Sequence, residues 1–124
     1  MPDPVTEQLA QVRQRFEGAS LVPQPDGTRV LEVPNVSLPP GWSVDRTPVW
    51  VLVPIGYPQV QPDCFYASEH LALANGAAPA SSGIQQLLGR PLRWFSWHLQ
   101  AWDPLHDGLP QFIRFVERRL ADPR

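Results

Sequence analysis

The stretch PIGYPQVQPDCFY, residues 54–66, decides how the rest of the chain is read. It follows the most apolar run in the sequence, Val49 to Val53, and carries the Tyr57-Pro58 pair, Pro62 and the one cysteine, Cys64. Pro58 fixes its own φ at about −65° and pushes Tyr57 into extended geometry, so the chain turns here. A run apolar on both faces belongs in the middle of a sheet. A shorter strand is expected after the turn, from Asp63 to Ala67. Alternation along it puts Cys64 and Tyr66 on one face and Asp63 and Phe65 on the other.

Working outward, the chain begins with a helix. Asp3 and Pro4 form a start signal, with Asp3 as N-cap. Val5, Leu9, Val12 and Phe16 follow at spacings of four, three and four, a single apolar stripe that Gly18 ends. The segment SLVPQPDGTRVLEVPNV, residues 20–36, places Asp26-Gly27 between two apolar runs, which predicts a hairpin of interrupted or edge strands. Downstream, residues 68–89 are small and polar and predict a long loop, with a helical turn near IQQLLGR. PLRWFSWHLQAWDPLHDG, residues 91–108, then concentrates Trp94, Trp97 and Trp102. A last helix opens near Asp107, with Leu109, Phe112, Ile113, Val116 and Leu120 as its apolar stripe and Glu117-Arg118-Arg119 facing solvent. Helix, antiparallel meander, irregular segment and helix make an α+β domain.

Composition narrows the function classes. A chain of 124 residues reads as one domain, residues 1–124, and its net charge of −2 gives neither a nucleic-acid footprint nor a basic membrane surface. No apolar run reaches the ~18–20 residues of a membrane span, and the N-terminus lacks a signal core, so a cytoplasmic protein is expected. One cysteine forms no internal disulfide, and no cysteine/histidine cluster has zinc spacing, so neither metal nor cofactor is expected. All ten basic residues are arginine. Genome composition accounts for this, as does avoidance of self-modification by a protein that handles activated acyl groups.

The ordered set of helix, meander, Tyr57-Pro58 with Pro62, a long irregular crossing, Trp102-Asp103-Pro104 and closing helix resembles the ubiquitin-conjugating-enzyme fold. PIGYPQVQPDCFY together with RWFSWHLQAWDPLHDGLPQFI is similar to its prokaryotic family E, over nearly the whole chain. The resemblance implies work with a ubiquitin-like protein and its adenylating enzyme.

The family's nucleophilic cysteine precedes the Trp-x-Pro tryptophan by about eight residues. Here that position is Trp94, and residues 67–124 contain no cysteine. Cys64 stands where the family places a core aliphatic residue. No arginine lies within ten positions of it to favour a thiolate, so it reads as structural. The family's His-Pro-Asn tripeptide is also missing; His70 and Asn75 are loop residues, and Asn75-Gly76 is a turn signal.

A nucleophile in the irregular segment would be Ser96. His98 lies two residues on, the spacing that shares a face in extended chain, and an imidazole is the usual base for a hydroxyl. His106 and Asp107 could supply a second base and its orienting carboxylate. An acyl group on Ser96 would be an oxyester, less reactive to amines than a thioester. Equally, serine and histidine among tryptophans can simply satisfy a partly buried segment. Trp94, Trp97, Trp102, His106 and Asp107 are candidate binding residues. Three functions follow: a noncanonical conjugating factor acting through Ser96 and His98, a binding or adaptor module without chemistry, or a small-ligand binder walled by tryptophans.

Overall fold

The computed structural model describes residues 4–99 and 101–124. The Asp3 cap expected from sequence lies outside them. In chain order the elements are α1 (Pro4–Arg13), β1 (Ser20–Pro23), β2 (Arg29–Ser37), β3 (Arg46–Val53), β4 (Phe65–Ala67), β5 (Ser82–Leu87), β6 (Arg90–Phe95) and α2 (Leu109–Leu120). The six strands form one antiparallel sheet, in the order β1-β2-β3-β4-β6-β5. This is the α+β architecture expected, with a helix at each end of the chain.

Alternation divides the sheet into two faces. Leu31, Val33, Val49, Val51, Val53, Phe65 and Phe95 join the main core with Val5, Leu9 and Val12 of α1 and the α2 stripe. Val30, Trp50, Tyr66, Leu87 and Leu92 form a smaller cluster on the other face, bordered by Leu52 and Trp94. Both helices therefore cover one face. The Asp26-Gly27 hairpin forms as expected: Gly27 takes φ +91°, and the Asp26 carboxylate accepts bonds from the Thr28 amide and hydroxyl.

The motif residues meet at one end of the helical layer. The Tyr57-Pro58 peptide is cis. Trp102 Nε1 donates to the Pro58 carbonyl at 2.7 Å, and the Tyr57 and Trp102 rings lie 6.0 Å apart. Gln8 Oε1 accepts from the Tyr57 hydroxyl and from the Leu109 amide, tying α1, the turn and α2 together. Gly108 precedes α2, and a Cβ there would come within 2.8 Å of the Gln8 side chain.

Five expectations need correction. The strand expected from Asp63 begins only at Phe65, leaving Asp63 and Cys64 in irregular chain. Residues 68–89 are not one long loop, and IQQLLGR is not a helical turn: β5 and β6 form a hairpin there. Leu87 pairs with Arg90 around Leu88 and Gly89, both at positive φ. A leucine in the first turn position hides that hairpin from sequence rules that look for Asn-Gly. The tryptophan segment opens as strand β6, and only its continuation past Phe95 is irregular. α1 ends at Arg13, before Phe16 and Gly18, and the Arg13 Nε donates to the Ala19 carbonyl at 2.7 Å. Arg119 does not face solvent. Only 2% exposed, it donates to the carbonyls of Ala80, Asp122 and Arg124 and lies over the Phe95 and Trp97 rings.

Candidate functional site

β4 and β6 pair with Phe65 opposite Phe95. Asp63, two residues before that pair, and Ser96 to His98, just after it, therefore leave the sheet at the same end. Neither segment is in regular structure, which frees side chains that strict alternation would separate. The Ser96 amide is held by the Ser81 carbonyl at 2.8 Å.

Three side chains then fall in line. Ser96 Oγ is 3.4 Å from His98 Nε2, the long end of hydrogen-bond reach, and His98 Nδ1 is 2.5 Å from Asp63 Oδ1. The carboxylate can only accept, so in the neutral imidazole the proton belongs on Nδ1. That leaves the Nε2 lone pair facing the serine hydroxyl. This is the sense of a serine–base–carboxylate relay, in which the acid fixes the tautomer and stabilises the imidazolium formed when the serine proton moves. The His98 and Asp63 side chains are 52% and 68% exposed, so an incoming macromolecule can reach the relay.

Cys64 sits beside the relay. Its thiol, the nearest ligand-type nitrogen of His98 and the nearest Asp63 oxygen all lie within 4.8 Å of one another. The thiol is half-buried, and its pKa is raised first by burial and next by the Asp63 charge; facing N–H groups of Trp94 and Trp97 offset part of this. A raised pKa keeps the thiol protonated and poorly nucleophilic. A groove of about 330 Å³ opens next to it on the uncovered sheet face, lined by Leu52, Pro54, Val60, Tyr66 and Trp94 among others.

The remaining sequence candidates go elsewhere. His106 does not supply a second base oriented by Asp107. Its Nδ1 pairs with Asp103 Oδ2 at 2.5 Å, while Asp107 accepts from the Asp103 amide at 2.8 Å. The Asp103 hydrogen bond and charge raise the His106 pKa, and the same bond lowers that of Asp103. A closed turn ahead of α2 results. Trp97 stacks on Phe115 with Arg119 and Arg124 over it, and Trp102 serves the Tyr57-Pro58 turn. Of the tryptophans singled out, Trp94 is the one that lines the groove beside the relay.

Asp63 is the residue that sequence reasoning missed. It entered only as a marker of strand phase, because a carboxylate thirty-five positions from its histidine gives no local spacing to read. Pro62-Asp63 at the lip of a strand was the one available signal.

The sequence model of a family described as prokaryotic E2 family E matches residues 6–123. No curated protein and no solved structure matches the chain.

Proposed function

We propose, from the premise that the chain belongs to prokaryotic E2 family E, that its conjugating-enzyme-like role runs through Ser96 rather than a cysteine. The C-terminal carboxyl of a ubiquitin-like protein, activated as an acyl adenylate by its adenylating enzyme, is attacked by Ser96 Oγ. An ester C–O bond forms, AMP leaves, and His98 Nε2 takes the serine proton while Asp63 steadies the imidazolium. With the first proton released to solvent, His98 takes the proton of an attacking target amine; the amide forms, the ester C–O bond breaks, and His98 passes that proton to the Ser96 oxygen. On this reading the reaction runs in the cytoplasm, and the absence of lysine removes its side chain as a self-acceptor.

The observation that carries this reading is the set Ser96–His98–Asp63, with one ring nitrogen of His98 3.4 Å from the serine hydroxyl and the other 2.5 Å from the carboxylate. The protein is recovered from its native host without reductant at mildly acidic pH, and intact masses are compared for wild type, Ser96→Ala and Cys64→Ala. A base-labile addition of small-protein mass, missing only from Ser96→Ala, is expected. Complex formation with no adduct in any sample would instead make the chain an adaptor that holds a ubiquitin-like protein or its activating enzyme without chemistry.

A further inference from the structure

Cys64 is unused by the relay yet lies against it, and the three side chains there differ in chemistry. A thiol, an imidazole and a carboxylate each present one ligand atom within 4.8 Å of the others. Zinc takes sulfur at about 2.3 Å and nitrogen or oxygen at about 2.0 Å, so ligand atoms around one ion sit about 3–4 Å apart. The cluster is thus within a small side-chain adjustment of that arrangement. Asp63 and Cys64 are sequence neighbours that reach the same histidine because they precede β4 in irregular chain.

We infer that Asp63, Cys64 and His98 form a site for Zn2+ or a similar thiophilic divalent cation, and that filling it switches the serine relay off. Soft sulfur with imidazole selects Zn2+ over Mg2+ or Ca2+, which prefer all-oxygen shells. Three protein ligands leave one position for water. On binding, the S–H proton is released to solvent and sulfur donates an electron pair to the metal; no oxidant or reductant is involved. Either imidazole nitrogen can ligate, with the same consequence. Ligation through Nε2 uses the lone pair that faces Ser96. Ligation through Nδ1 moves the ring proton to Nε2, so the serine meets a donor where it needs an acceptor.

The site stands on its own geometry, and only its inhibitory effect rests on the serine reading. The metal-free chain is titrated with Co2+ as a spectroscopic stand-in, for wild type, Cys64→Ala, His98→Ala and Ser96→Ala. Wild type and Ser96→Ala are expected to give a one-to-one sulfur-to-cobalt near-ultraviolet band that Zn2+ abolishes. Cys64→Ala should show no band, and His98→Ala at least about tenfold weaker binding. Absence of the band in wild type, with circular dichroism showing a folded chain, overturns the site. Ester formation is then followed with and without Zn2+. Inhibition of wild type but not of Cys64→Ala is expected, and equal ester yields in wild type with and without Zn2+ overturn the switch. A cobalt band with no serine ester under any condition overturns the conjugation reading while leaving the metal site standing.

Discussion

His98 Nδ1 lies 2.5 Å from Oδ1 of Asp63, and its other ring nitrogen faces Ser96 Oγ at 3.4 Å. One strand pairing, Phe65 against Phe95, brings these groups together from two distant segments. In the proposed relay Asp63 sets the His98 tautomer, a role that an amide can mimic in shape but not in charge. Asp63→Asn is therefore expected to slow ester formation on Ser96 by about 10²–10⁴-fold. Because Asp63 is exposed, urea unfolding should change by less than about 0.5 kcal/mol. An unimpaired rate would remove the carboxylate from the relay.

Arg119 ties the C-terminus to the rest of the fold through carbonyls of Ala80, Asp122 and Arg124. Truncation removes the donor to these three carbonyls and opens space beside Phe95. Arg119→Ala should cost about 1–3 kcal/mol in urea denaturation, chiefly through the space it opens against Phe95 and Trp97. Arg119→Lys, which keeps the charge but loses the planar fork, should cost less yet still measurably. A neutral Arg119→Ala would mean that the C-terminal anchor carries no weight.

Tyr57 holds the turn to α1 through Gln8, and burial pushes its phenol up to about 12. A pKa raised above the ordinary value of about 10 means the native state holds this proton more tightly than the unfolded chain. The associated stability is complete below pH ~10 and drains away as pH rises from there through about 12. Denaturant midpoints should fall across that window in wild type. Tyr57→Phe, less stable at neutral pH for want of the Gln8 bond, should show a shallower alkaline fall. Parallel curves for the two proteins would refute the assignment.

The legible parts of this fold were those written in local pattern. The Val49–Val53 run, the Asp26-Gly27 turn, the α2 stripe and the Tyr57-Pro58 and Trp102-x-Pro104 punctuation each carry their structure in adjacent residues. The β5–β6 hairpin was hidden because Leu88 adopts positive φ, which a leucine rarely does. Arg119 was misread because an arginine at a helix end is normally solvated; its burial depends on carbonyls supplied by the returning C-terminus and by Ala80. At the site, Ser96 and His98 could be paired by spacing. Asp63 and Cys64 could not be joined to them, since they lie more than thirty positions away and only the pairing of β4 with β6 brings the two segments together.

The central claim is that Ser96, not Cys64, carries the acyl group, and tryptic mapping of the native-host protein tests it most directly. Cleavage after Arg46, Arg93 and Arg114 puts Cys64 in the peptide 47–93 and Ser96 in 94–114. Digestion at mildly acidic pH followed by tandem mass spectrometry should place a C-terminal remnant of the donor on Ser96, removed by hydroxylamine and absent from His98→Ala. A remnant on Cys64 in peptide 47–93, with 94–114 unmodified, would contradict the account.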